Sequence, residues 1–335
     1  MTVPEPVSEV YLRAWSRHTH RSPLYQHLIK VTLGNPALMS VIQRISKRPP
    51  PNVYLAAIHY LLMDGRSPRL SRYYGSIVED PLPVSEVDEA FTDFVLENRD
   101  DIVELANRRF TQTNECRRCV ALLPGVMASP FDSFHLVEIG TSAGINLALD
   151  HFKYDFEDAE WGPDSPVRLS AEVRGDPPRL RPIDIGQRVG IDLHLIDRND
   201  PSDRRWLEAL IWPEHEERRE RLRRALDLTS EMEFKMVEGS VLDELAAVLG
   251  DLPPGEPAVV MNSFVLIQLD PDQREWVEDI VEEARQTRPI YRVWFEFIDK
   301  DDDWARLRVG SGRELVDLGT AHPHGEWIDL DYSVL

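Results

Sequence analysis

Apolar positions in the first third of the chain recur at helical spacing, as in Val53, Ala56, Ala57, Tyr60 and Leu61, and no strand-like alternation occurs before about residue 125. Prolines at 49–51, 81 and 83 punctuate this part into helical segments. Ser85, ahead of Glu86 and Asp88, reads as a helix start leading into Val87, Phe91, Phe94 and Val95, and a second helix follows over 100–109. From residue 134 the pattern changes. Short apolar runs at 134–139, 190–196, 234–238, 258–262 and 290–298 read as strands, and longer periodic stretches at 143–151, 202–227, 240–249 and 271–287 as helices. Asp270-Pro271 supplies a cap and a first-turn residue for the last of these. Strands alternating with helices imply a mostly parallel sheet, which an antiparallel pair over 313–330 would close at one edge. The chain therefore divides into an N-terminal all-helical domain, 1–128, and an α/β domain, 129–335.

One stretch does not follow the alternation. Residues 152–185 carry Trp161, Gly162, repeated prolines and scattered charge where a simple α/β domain passes almost directly to its second strand. A loop of this length is uncommon without a role, so it reads as a lid or substrate-pocket insertion, the alternative being a surface excursion.

The run Phe134-His-Leu-Val-Glu-Ile-Gly-Thr-Ser-Ala-Gly-Ile-Asn146 joins a buried strand to a small-residue turn and the apolar start of a helix. Gly140 and Gly144 would let backbone approach a ligand, and the first free amides of the helix would face its anionic part. Glu138 precedes the first glycine by two residues, in the pattern Glu-x-Gly-x-x-x-Gly associated with S-adenosylmethionine (SAM) sites. The dinucleotide fingerprint Gly-x-Gly-x-x-Gly is absent, because Thr141 and Ser142 stand between the glycines. The same turn can also pack tightly and bind nothing.

A SAM site also needs an acid after the second strand for the ribose hydroxyls, and Asp197 stands there, displaced by the length of the insertion. The third strand ends at Gly239 and Ser240; Ser240 faces the adenine in this reading or caps the next helix. Asn262 and Ser263 follow the fourth strand, where side chains orient the reacting groups. Thr111-Gln-Thr-Asn-Glu115 interrupts an apolar helical pattern and reads as a site lip, or as the cap of the helix carrying Cys116 to Leu123. His322-Pro-His-Gly325 reads as a turn between the last strands, with histidine as a proton acceptor or as turn chemistry. Cys116 and Cys119 have no second pair with which to make a zinc site and read as buried helix-face cysteines.

The segments Ala56-Ala-Ile-His-Tyr-Leu-Leu62, Thr111–Glu115, Val137–Asn146, Gly190-Ile-Asp192 with Asp197, Trp212-Pro213 and His322–Gly325 together resemble the bacterial domain of unknown function 2332 family over nearly the whole chain. The resemblance implies similarity to class I SAM-dependent methyltransferases: a Rossmann-like sheet, mostly parallel with antiparallel C-terminal strands, plus N-terminal helices that share a pocket with it. It brings no activity with it.

The expected reaction is SAM-dependent methylation of a small molecule. Glu138, Gly140, Thr141, Ser142, Gly144, Asn146, Asp197 and Ser240 would hold the cofactor, and Gln112, Asn114, Ser263 and Trp161 the substrate. Glu115, His324 and Asn262 are the candidate catalytic residues, the first two as the base, and no metal is expected. Two alternatives remain open: a non-catalytic SAM- or nucleotide-binding regulatory module, and a serine hydrolase. The second follows from Gly-Thr-Ser-Ala-Gly144, which fits Gly-x-Ser-x-Gly, with Asp270 or Asp299 and then His322 or His324 in the required chain order.

Charge narrows the partners. A net charge of −21 over 335 residues opposes a phosphate-backbone partner, which needs clustered cations. No apolar run approaches the roughly 20 residues that span a bilayer, and the start of the chain lacks the basic and apolar regions of a signal peptide. A cytoplasmic protein acting on a small molecule is expected, with the helical domain either covering the active site or forming a homodimer.

Overall fold

Among the described residues, five helices open on a polar cap followed by proline: Ser22-Pro23, Asn35-Pro36, Ser67-Pro68, Asp200-Pro201 and Asp270-Pro271. The first four cap side chains accept amides of the first turn, and Asp270 forms a capping box with Gln273, while proline removes a donor that would lack a partner anyway. The computed structural model describes residues 10–13, 21–47, 50–299 and 302–335, and its packing divides them into two units.

The helical unit comprises the described residues up to Thr113 together with Asn199–Glu220. Its helices Pro23–Gly34, Pro36–Ile42, Pro50–Met63, Asp88–Glu97 and Arg99–Arg108 surround a core that includes Tyr25, Leu28, Tyr54, Ile58, Phe91 and Ile102. Trp206, on helix Pro201–Ala209, is fully buried in the same core, and its indole N–H donates to the Phe110 carbonyl at 2.9 Å. That burial draws residues 199–220 into this unit, a membership the sequence pattern did not reveal. The other unit starts at Asn114, upstream of the expected 128/129 boundary. The reason lies in helix Cys119–Met127, which packs on the sheet so closely that a Cβ on Gly125 would come within 2.7 Å of the Val293 side chain.

The sheet unit is a mixed α/β structure with one large, mostly parallel sheet. Its strands are β1 (Ser133–Ile139), β6 (Asp184–Asp192), β7 (Lys235–Glu238), β8 (Ala258–Ser263), β9 (Ile290–Glu296), β10 (Ala305–Gly310), β11 (Val316–Ala321), β12 (Trp327–Leu330) and a short β5 (Glu172–Val173). They lie in the order β5-β12-β11-β10-β9-β8-β1-β6-β7. The strands β7, β6, β1, β8 and β9 are parallel and run third, second, first, fourth, fifth in chain order, so the order reverses between β1 and β8. Beyond β9 an antiparallel meander, β10 to β12, replaces the expected pair. Val137 and Ile139 of β1 face the core shared with helices Val241–Asp251 and Pro271–Ala284, so Glu138, by strand alternation, points to the opposite face.

Three expected elements differ. β6 ends at Asp192, not at 196, because the Asp192 carboxylate accepts the His194 amide at 3.0 Å and turns the chain off the sheet. The expected helix 143–151 is a short 3-10 segment, Ile145–His151, entered through left-handed Gly144 and broken at Ala148. The expected helix 202–227 is two, Pro201–Ala209 and Glu216–Ser230, interrupted around Trp212-Pro213. Residues 152–185, expected as a lid or substrate-pocket insertion or as a surface excursion, hold short strands and buried side chains. Strands β2 (Lys153–Asp155), β3 (Glu160–Trp161) and β4 (Arg168–Ser170) make a small sheet over buried Phe152, Tyr154, Phe156 and Leu169, after which β5 extends the large sheet beside β12. No helix among the described residues is long and apolar enough to cross a membrane.

Candidate functional site

Glu138 reaches the carboxyl end of β1 with 1% of its surface exposed. Its Oε2 accepts the Thr141 hydroxyl at 2.7 Å and its Oε1 the Asn146 amide at 2.8 Å, while Asn146 Oδ1 takes the Cys119 thiol at 3.3 Å. Burial lifts the Glu138 carboxyl to about 7, against the opposing pull of those two hydrogen bonds. Burial likewise raises the Cys119 thiol, which marks it as an inert core group.

The turn after β1 is bound internally. The amides of Gly140 and Thr141 donate to the Ile191 carbonyl, that of Ser142 to Asp192 Oδ2, that of Ala143 to Asn114 Oδ1 and that of Gly144 to the Thr141 carbonyl, at 2.8 to 3.3 Å. Asn114 Nδ2 also donates to the Ser142 hydroxyl at 2.9 Å. The amides of the turn itself are therefore engaged, and the 3-10 segment that follows, in place of the expected helix, is too short to add a helix dipole. The glycines are read by side chains. A Cβ on Gly140 would stand 2.6 Å from Val265 Cβ, and one on Gly144 3.2 Å from the Phe234 ring. The ligand approach expected at the Gly140 backbone is blocked by Val265.

At the end of β8 the two candidate residues point to opposite faces of the sheet. Asn262 is fully buried and gives its amide N–H to Glu296 Oε1 at 2.6 Å, so its donor serves the protein. Its Oδ1, and the hydroxyl of Ser263, are buried without a hydrogen-bond partner. Such atoms carry a desolvation cost that a bound polar group relieves. Glu296, fully buried at the end of β9, also accepts the amides of Val265, Leu266 and Ile267 at 3.0, 2.8 and 2.6 Å. Burial raises its carboxyl, and those four hydrogen bonds oppose the shift.

A third cluster joins distant segments. Glu115, 3% exposed, caps the short 3-10 turn Cys116–Arg118 through Oε1, which also lies 3.6 Å from Arg221 Nε, while Oε2 lies 4.0 Å from His324 Nδ1. Arg118 lies over the Phe264 ring and donates to the Pro323 carbonyl at 3.0 Å. Gly325 makes this approach possible. It adopts a left-handed φ of +72°, and a Cβ there would strike the Arg117 carbonyl at 2.2 Å. The His322–Gly325 turn, between β11 and β12 as expected, is thus seated on the Glu115–Arg118 backbone.

The structure gathers Thr141 and Asn146 around Glu138, pairs Asn114 with Ser142, and sets Glu115 beside His324. It places Gln112 in the helical unit, and Trp161 in the small sheet against Tyr154, with ring centroids 5.9 Å apart. Ser240 caps helix Val241–Asp251 by accepting the Leu242 amide at 3.2 Å. Asp197 lies beyond the end of β6, and the strand-end carboxylate is Asp192, raised by burial and lowered by the His194 and Ser142 amides it accepts. Asp192 stood in a segment already singled out, and Glu296 is the single acid in Tyr291-Arg-Val-Trp-Phe-Glu-Phe297; a charge inside an aromatic strand was the signal for it. Arg118, Arg221 and Val265 gave no sequence signal, because what distinguishes them is contact with distant segments.

The model of the family described as "Uncharacterized protein conserved in bacteria (DUF2332)" matches residues 10–330, and the chain belongs to that family. No curated protein matches it.

Proposed function

We propose, for this member of an uncharacterized bacterial family, a Rossmann-like methyltransferase fold that binds S-adenosylmethionine at the carboxyl edge of its parallel strands and methylates a small molecule. The observation that carries the reading is the reversal of strand order between β1 and β8, flanked by buried Glu138 and by Asn262 Oδ1 and Ser263 Oγ, which are buried without partners. Crevices at such reversals are where sheets of this kind bind ligands, and unsatisfied polar atoms in one are consistent with a ligand that completes them. Asp192, as the strand-end acid beside the turn, takes the ribose role that the sequence reading gave to Asp197. When bound, the cofactor supplies an electrophilic methyl group.

The chain's own residues would do the rest. Ser263 and Asn262 orient polar groups through their unsatisfied atoms. The Glu115–His324 pair removes a proton from an acceptor that carries one; the carboxylate of Glu115, set by Arg221 and by the Arg117 amide, lies 4.0 Å from the imidazole Nδ1. Calorimetry with S-adenosylmethionine and S-adenosylhomocysteine tests the reading. Binding is expected, and Asp192→Asn should weaken it about tenfold, the cost of one charge-assisted hydrogen bond. No heat and no thermal shift at millimolar ligand, with the chain and with Val265→Ala alike, would reject it.

One observation favours a second reading. Ser142 adopts φ +51° inside Gly-x-Ser-x-Gly, the left-handed strain of a nucleophile elbow. Its hydroxyl accepts from Asn114, which ranks serine hydrolysis below methyl transfer. Covalent labelling of Ser142 by a fluorophosphonate, absent in Ser142→Ala, would reverse that ranking.

A further inference from the structure

Val265 occupies the space a ligand would need above the Gly140 backbone: its Cβ, Cγ2 and Cγ1 lie 2.6, 2.7 and 2.9 Å from where a Gly140 Cβ would be. The segment carrying it is held at a cost. Phe264, which starts it, has φ +56°, an outlier for an aromatic residue that persists only where surroundings enforce it. Two sets of contacts provide that enforcement. The Phe264 ring is wedged edge-on against Phe295 and Phe297, at centroid distances of 5.3 and 5.0 Å, with the Arg118 guanidinium over it at 4.1 Å. The Glu296 carboxylate gathers the three successive amides of Val265, Leu266 and Ile267. The two residues just before the segment, Asn262 and Ser263, are the ones that keep buried polar atoms unsatisfied. Backbone strain, unsatisfied polar atoms on the two faces of the strand end and the side chain that closes over Gly140 belong to successive residues, 262–265.

We infer that residues 264–268 form a gate over the Gly140 turn, with Val265 as the blocking side chain and Glu296 as the group that holds the gate shut. Opening removes Val265 from Gly140, releases the left-handed Phe264 and exposes Asn262 and Ser263 to the incoming ligand. Affinity is then the intrinsic affinity reduced by the fraction of molecules that are open. The inference rests on the adenosyl reading above and adds to it a regulated entry and the residues that control it.

Calorimetry of S-adenosylhomocysteine with the full chain and with Val265→Ala is the test, both proteins first checked for equal melting. Truncating the blocking side chain is expected to tighten binding about tenfold. Binding only by Val265→Ala would support the gate most directly. Equal or weaker affinity in the variant would overturn the gate and leave the adenosyl site standing; no heat with either protein would overturn both. Should Val265→Ala melt early, hydrogen exchange of the unaltered chain decides: the Val265, Leu266 and Ile267 amides should lose protection at saturating ligand. Unchanged protection would overturn the gate.

Discussion

Glu138 and His59 show how much a single buried side chain can set. Glu138 is held near 7, above the ordinary 4.5 of a free glutamate, so the folded chain binds its proton more tightly than the unfolded chain. Its contribution to stability is complete below about pH 4.5 and is lost as pH rises through about 7. His59 has the opposite sign. Burial lowers it to about 3, its Nδ1 lies 3.1 Å from the Ala209 carbonyl and its Nε2 2.7 Å from Ser76, so it stays neutral when folded. Its contribution is complete above the ordinary 6.5 and is lost as pH falls through about 3. Between about pH 4.5 and 6.5 the two slopes oppose each other. Urea unfolding of Glu138→Gln should therefore show stability falling on acidification across that window, and a gain of about 1–3 kcal/mol over the parent at pH 8. His59→Asn should show the reverse slope. Parallel pH profiles for parent and both variants would remove this account. Such coupling was half legible in sequence: an acid before Gly-Thr-Ser-Ala-Gly is visible, but its depth of burial and its partner Asn146 are not.

At the scale of elements, local chemistry and distant contact divide the work. The cap and proline pairs that open five helices are written in adjacent residues, and four of them were as readable as Asp270-Pro271 although only that one was singled out. The strand limits of β7, β8 and β9 follow from apolar runs, whereas β6 ends where an aspartate side chain captures its own downstream amide. The His322–Gly325 turn is predictable as a turn, but its seat on Arg117 is not. Gly325→Ala should cost about 2–4 kcal/mol, because the added methyl meets a carbonyl at 2.2 Å and the left-handed φ is strained as well. The same change should separate His324 from Glu115 and so move the His324 ring resonances seen by NMR. Ring resonances and a melting temperature that both match the parent would show that the docking does not depend on this glycine.

At the scale of the molecule, the division into units is not the division of the sequence. Residues 199–220 belong with the helical unit because Trp206 is buried in its core, far along the chain from the helices it packs against. Trp206→Ala should lower stability by about 3–5 kcal/mol, the cost of emptying a large buried site. Limited proteolysis should then cut first within the helical unit, before the sheet. Cleavage that starts in the sheet unit, or a loss under about 1 kcal/mol, would contradict that placement.

By itself the sequence determined the N-terminal helices, the five parallel strands and the helices Val241–Asp251 and Pro271–Ala284, in their order, because helix and strand periodicity, caps and turn residues act over a few neighbouring positions. It also marked Glu138, Ser142, Glu115 and His324, whose residue types and local patterns stand out along the chain. Only tertiary structure decided that Val265 closes the turn above Gly140, that Asp192 and not Asp197 ends the second parallel strand, and that Glu296 holds the loop after β8. Those facts depend on which distant atoms share a volume and which buried polar groups find partners, and neither quantity is a property of a short stretch of chain.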